Sequence, residues 1–292
     1  MRFLISNDDG VYAPGLLALY QALSTVGEVT VVAPTNEQSG CASALSISMP
    51  LYTHKLASGF VAVNGSPADC VYLALHELYR HTRFDCVITG INSGANLGQD
   101  VLFSGTFGAA LTAQLFGIPA MATSLVGGGA KGCGQEQASH YKIAADEIVK
   151  LLVETPILDT CKNLPYHVLN VNIPDVDSAC EIKGRKITAL GHSQIARPVH
   201  HVVDPRGRDA YWLSLRKRQY ELSEIGDNES SLGQSVVSQT VLSQQTASKE
   251  ARSLTMDMTD NQAVAAGYIS LSPVRLHHTP AATLEKLSKL AL

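Results

Sequence analysis

LISNDDG, residues 4–10, drives an apolar run straight into two adjacent carboxylates. Phe3, Leu4 and Ile5 read as a short strand without polar alternation, the pattern of a strand covered on both faces. Asp8 and Asp9 then repel each other at a strand end, where charge is costly. Neighbouring strand residues point to opposite sides, so at least one of the two must lie past the strand for both to reach a common point. A cation at that point would offset the repulsion and keep both ionised.

Outward from this stretch, strands and helices alternate. APGLLALYQALS (13–24) carries Leu16, Leu19, Tyr20 and Leu23 at helical spacing, with Pro14 suited to a first turn. VTVVAP (29–34) is a continuous β-branched strand, and FVAV (60–63) another. SPADCVYLALHELYRH (66–81) opens on Ser-Pro and reads as one helix. DCVIT (85–89) is a strand and GINSGANLG (90–98) a loop. SGTFGAALTAQLFG (104–117) starts on Ser and ends on Gly, the usual cap asymmetry of a helix. PAMATSL (119–125) and HVLNVNIP (167–174) are strands flanking a long amphipathic helix at 135–154. The alternation predicts an α/β fold, a mostly parallel sheet with helices on both faces.

After residue 185 the pattern changes. KITAL (186–190) is a strand, and 198–215 reads as a hairpin about Asp204-Pro205-Arg206-Gly207. A Ser/Gln-rich stretch at 223–253 reads as a long loop, AGYISLSPVRL (266–276) as a late strand, and 281–292 as a terminal helix.

Composition narrows the function. Of 292 residues 45% are hydrophobic and 16% charged, with a net charge of −4, which excludes a general binder of nucleic-acid polymers or membrane surfaces. Aromatics at 6% are too sparse for a base-stacking platform. The six cysteines form no C-x-x-C pair, which argues against zinc and for a reduced, cytoplasmic setting.

In an open α/β sheet ligands bind beyond the carboxyl ends of the strands. Here those ends carry Asp8 and Asp9, then Ser39 and Gly40, then Asn92 and Asn96, then Ser104, Gly105 and Thr106. All offer oxygen or amide groups, without His or Cys, which is the donor set of a hard divalent cation. Each loop alone is also an ordinary turn or helix cap; their joint position at one sheet edge is what points to a site. The Ser104-Gly105-Thr106 helix start offers free N–H groups to an anion, and phosphate is its natural guest. A hard cation beside a phosphate cradle suggests phosphoryl chemistry.

NDDG (7–10), VVAP (31–34) with SG (39–40), GSPADCV (65–71), GINSGANLG (90–98) and SGTFGAA (104–110) resemble the survival protein E (SurE) family, as do LNVNIP (169–174), DPRGR (204–208) and GYISLSP (267–273). The resemblance implies a Rossmann-like three-layer core and a metal-dependent 5′-nucleotidase. Such an enzyme releases inorganic phosphate from nucleoside 5′-monophosphates, often from 3′-nucleotides and sometimes from short polyphosphate. It implies one divalent ion per subunit, Mg²⁺ or Mn²⁺, on Asp8, Asp9, Ser39 and Asn92. Asn96 and the Ser104-Gly105-Thr106 turn would hold the phosphate, with Asp8, Asp9 and Asn96 catalytic. It further implies a single domain over 1–292: a core at 1–190 with the active site, and a hairpin, polar loop and C-terminal segment at 191–292 that assemble a homodimer or homotetramer. Gln38 stands where the family often has Arg, and Phe107 where it has a smaller aliphatic residue.

Two other classes compete. An aspartyl-phosphate phosphatase would carry D-x-D after the first strand, whereas these carboxylates are adjacent. A dinucleotide binder would carry G-x-G-x-x-G there, which is absent.

Overall fold

A computed structural model describes residues 1–128, 135–192, 199–213 and 258–275. The expected loop at 223–253 and the expected terminal helix at 281–292 lie outside the described residues.

Among the described residues nine strands form one mixed sheet: β1 (Arg2–Ser6), β2 (Glu28–Pro34), β3 (Thr53–Lys55), β4 (Val61–Val63), β5 (Cys86–Ser93), β6 (Ala120–Leu125), β7 (His167–Ile173), β8 (Arg185–Ile187) and β11 (Ile269–Arg275). Their order is β3-β4-β2-β1-β5-β6-β7-β11-β8. The β4-β2-β1-β5-β6-β7 run is parallel. β3 is antiparallel to β4, and β11 is antiparallel to β7.

The inner strands are apolar on both faces, as their sequences require. Phe3 and Ile5 of β1, Val31 and Ala33 of β2, Cys86 and Ile88 of β5 and Met121 of β6 face one core. Helices α1 (Pro14–Leu23), α4 (Gln135–Glu154) and α5 (Ile157–Lys162) cover it with Leu16, Leu19, Leu23, Tyr141, Ile148 and Leu158. Leu4, Val32, Val87 and Ala122 face a second core, closed by Cys70 and Val71 of α2 (Pro67–Leu73) and Ala109, Ala110 and Ala113 of α3 (Gly105–Leu115). Each large side chain so buried contributes roughly 1.5–3 kcal/mol. The result is the expected three-layer α/β core.

Two expectations need correction. The helix expected over 66–81 is α-helical only through Leu73. It continues as a π-helical turn, Ala74–Leu78, in which Tyr79 N–H donates to the Ala74 carbonyl at 2.9 Å. The loop expected from residue 90 begins instead as strand: β5 shifts register after Thr89 and pairs on through Asn92↔Ser124 and Ser93↔Leu125.

Residues 192–255 form a separate unit. Its described part is the antiparallel hairpin of β9 (Val199–Val203) and β10 (Asp209–Leu213), closed by the expected turn. Asp204 accepts N–H groups of Arg206 and Arg208 there. Val203, Tyr211, Trp212 and Leu213 are all exposed.

Candidate active site

The sheet order fixes where the site must be. From β1 the chain steps outward through β2 to β4, then returns to the other side of β1 for β5, β6 and β7. The reversal lies between β1 and β5, and loops leaving those two strands diverge to open a crevice. Ser6 stands beside Thr89 in register, so Asn7-Asp8-Asp9-Gly10 and the end of β5 leave the sheet side by side.

Asn7 Nδ2 donates to the Gly10 carbonyl at 2.9 Å and closes the turn that carries both carboxylates. Gly10 sits at φ +103°, a conformation side chains disfavour, so glycine is required immediately after Asp9.

Asp8 is buried and held on three sides. Its Oδ1 accepts the Thr106 hydroxyl at 2.5 Å, and its backbone carbonyl accepts Gln38 N–H at 2.7 Å. A Cβ added to Gly105 would lie 3.0 Å from Asp8 Cβ, 3.1 Å from Asp8 Oδ2 and 2.9 Å from Cys41 Sγ. The start of α3 thus lies against the carboxylate with no room for a methyl group. Asp9, half-buried, accepts Ser93 N–H on Oδ2 at 3.1 Å.

Burial raises the Asp8 carboxyl above its ordinary value, opposed by the Thr106 bond and reinforced by the charge of Glu37. Asp9 is pushed up to about 7 by burial, then by the Asp8 charge and by Glu37. The two carboxylates therefore strain against ionisation in the protein alone.

The remaining expected residues fall into two groups. Asn92 Nδ2 donates to the Gly94 carbonyl at 2.8 Å, which turns its Oδ1 away from that bond. Ser39 Oγ donates to Glu37 Oε1 at 2.8 Å, leaving its lone pairs for another partner. These join Asp8 and Asp9 through short backbone links: Ser39 follows Gln38, and Asn92 precedes Ser93.

Asn96 belongs to a different network. It is buried, its Nδ2 donates to Ser124 Oγ at 3.0 Å, and its N–H donates to Asn172 Oδ1 at 2.9 Å. Its carbonyl accepts the amides of Asn170 and Asn172 at 2.8 and 3.1 Å. Ser104 caps α3 by accepting Phe107 N–H at 3.0 Å; its hydroxyl proton takes no part in that bond.

The donors fit a hard cation. Two carboxylates are adjacent, Ser39 follows the residue bonded to the Asp8 carbonyl and Asn92 precedes the residue bonded to Asp9, and the repulsion of the two carboxylates is what a cation relieves. Burial and Asp8 push the Cys41 thiol up to about 11, so it stays protonated beside Asp8 and offers no thiolate. Among the described residues, no group of three His, Cys, Asp or Glu side chains is gathered to hold a metal.

Several participants were not singled out in the sequence. Glu37 was visible in the same loop as Ser39. Asn170 and Asn172 sit two apart in a strand, on one face by the strand period, and that spacing was a readable signal. Thr89 Oγ1 donates to the Thr106 carbonyl at 2.7 Å and carried no signal beyond its place in a strand.

Comparison with known proteins identifies the family. The family model described as survival protein SurE matches residues 3–197. The chain belongs to the SurE family. It is 72% identical, over the full length of both chains, to a 5′-nucleotidase SurE of Psychrobacter cryohalolentis. It is 40% identical to that of Acinetobacter baylyi over 98% of each chain. The crystal structure of the SurE protein of Aquifex aeolicus superposes with a TM-score of 0.68 at 31% identity, covering 99% of this chain and 98% of that one.

Proposed function

We propose that this chain is a metal-dependent 5′-nucleotidase that hydrolyses nucleoside 5′-monophosphates to nucleoside and inorganic phosphate. The observation that carries the reading is the packing of the α3 start against Asp8, with the Thr106 hydroxyl on its carboxylate and Gly105 beside it. A site for a cation and a site for an anion thereby share one wall, which is the arrangement phosphate-ester cleavage needs.

Asp8, Asp9, Ser39 and Asn92 would hold one divalent cation per subunit, Mg²⁺ or Mn²⁺. Such an ion supplies positive charge to the phosphoryl oxygens and lowers the pKa of water. Ser104, Gly105 and Thr106 orient the phosphate through the free N–H groups of the α3 start. Asn96 would act with them as a phosphate-binding and catalytic residue, its backbone carbonyl held by Asn170 and Asn172 at the loop that leads into this turn. Thr106 holds Asp8 in one rotamer, and Asp9, the more open carboxylate, exchanges a proton with solvent. The chain would act as one catalytic domain whose 192–255 segment assembles copies. A two-stranded hairpin is marginal by itself, and exposed Tyr211, Trp212 and Leu213 would be covered in a homodimer or homotetramer. Among the described residues no helix is long and apolar enough to cross a membrane.

Phosphate release from a panel of 5′- and 3′-nucleoside monophosphates tests the reading, with EDTA and then with Mg²⁺ or Mn²⁺ restored, for wild type and Asp9→Asn. Release should require the ion and collapse in the variant. Folded, metal-supplemented protein that cleaves none of the panel would refute it.

A further inference from the structure

Two residues after Asn96, the loop is gripped by a carboxylate from the far end of the chain. Asp260, the first residue of helix α6 (Asp260–Ala265), is fully buried. Its Oδ2 accepts Gly98 N–H at 2.7 Å, across 162 residues of sequence. Its Oδ1 accepts Gly191 N–H at 2.7 Å and Asn261 N–H at 2.8 Å. A buried carboxylate is tolerated only when so bonded, and bonds to an ionised acceptor are the strong kind.

The three segments meet backbone to backbone. A Cβ on Gly98 would lie 2.6 Å from the Gly191 carbonyl oxygen, and one on Gly191 would lie 2.5 Å from Asn261 Nδ2 and 3.1 Å from Asp260 Oδ1. Asp260 N–H also donates to the Ala189 carbonyl at 2.9 Å, and Ala189 bridges Thr259. Gly191 is the last core residue before the 192–255 unit, and Asp260 lies just past the return. Both roots of that unit are therefore tied to one loop.

That loop leads to the anion side of the site. Gly98 opens the 3-10 turn Gly98–Phe103, which ends at Ser104, the cap of α3. Asn96 is already held from the sheet by Ser124, Asn170 and Asn172. Asp260 is the opposing hold, from outside the parallel strands.

We propose that Asp260 is a positioning residue for the phosphate loop, coupling the roots of the 192–255 unit to Asn96 and the 104–106 turn. The proposal rests on reading those residues as the phosphate side. Asp260→Asn keeps the shape but turns an amide donor toward an N–H. It should raise KM for a nucleoside monophosphate and the inhibition constant of inorganic phosphate about tenfold, the loss of roughly one charge-assisted bond. Mn²⁺ affinity should stay within about twofold, since Asp260 bonds Gly98, Gly191 and Asn261 and neither Asp8 nor Asp9 nor the residues bonded to them. A variant that merely melts earlier, with both constants unchanged at a temperature where it is folded, would overturn the proposal.

Amide exchange on the wild-type protein, with Mn²⁺ and with or without inorganic phosphate, decides the matter even if the variant does not fold. Slowed exchange at 96–106 together with 189–191 and 259–262 is expected. Slowing confined to 96–106 would keep the phosphate reading and overturn the coupling. No slowing at 96–106 would remove the phosphate reading itself, and the proposal with it.

Discussion

Lowering the pH should weaken cation binding in a way set by Asp9. Its carboxyl is pushed from 3.8 up to about 7, first by burial and then by Asp8. A cation binds the ionised form, so the apparent dissociation constant grows with the protonated fraction. At about pH 8 roughly a tenth of Asp9 is protonated and the penalty is slight; at about pH 6 roughly nine-tenths is, and affinity falls about tenfold, near 1.4 kcal/mol. Asp8 is raised as well, so tenfold is the lower bound. Titration calorimetry with Mn²⁺ at both pH values, in two buffers of different ionisation enthalpy, reads the affinity and the protons released together. Binding at about pH 6 should release close to one proton or more, and at about pH 8 far less. Asp9→Asn should flatten the Asp9 part of this dependence. An affinity that is constant within about twofold from pH 6 to 8, without proton release, would refute the assignment of Asp8 and Asp9 as a repelling pair that a cation relieves.

Thr106→Val removes the hydroxyl from Asp8 at nearly constant volume; a hydrogen bond to a charged group is worth about 1.5–3 kcal/mol, so kcat/KM should fall roughly 10- to 150-fold while the fold persists by circular dichroism. His140 and Asp175 are both buried and lie 2.6 Å apart, and Asp175 Oδ2 already has no partner. His140→Ala leaves the Asp175 carboxyl without its hydrogen-bond partner and should destabilise the protein by about 1–3 kcal/mol in chemical denaturation, and a loss below about 0.5 kcal/mol would show that the contact is not a support.

Much of this was legible because the inner strands carry their own evidence. VTVVAP has no polar face, so it had to be covered on both sides, and Ser104 announced a cap that the Phe107 N–H now occupies. The carboxylate, hydroxyl and carboxamide residues could be grouped from sequence because strand ends in a parallel sheet share one edge. What escaped depended on partners that no local pattern reveals. β5 runs on past Thr89 because β6 offers Ser124 and Leu125 to pair with. β3 is three exposed residues held by β4, without apolar alternation to mark it. The π-helical turn at 74–78 breaks no helical spacing that a reader could see. Asp260 lies in a stretch that was given no reading, because its role depends on Gly98 and Gly191, which are remote in sequence and bond it only in the fold.

The place of β11 has a consequence for how the molecule is made. It lies between β7 and β8, with Ser270 opposite Asn172 and Leu271 beside Ile187. A chain emerging from the ribosome completes β1 through β7 long before this strand exists. Until it arrives, β7 is an open edge offering unpaired backbone groups to any neighbouring chain. Pairings of such wide sequence separation form late and slowly. The nascent protein therefore waits with most of its parallel sheet available and one edge uncovered, and that interval is when it most needs a chaperone.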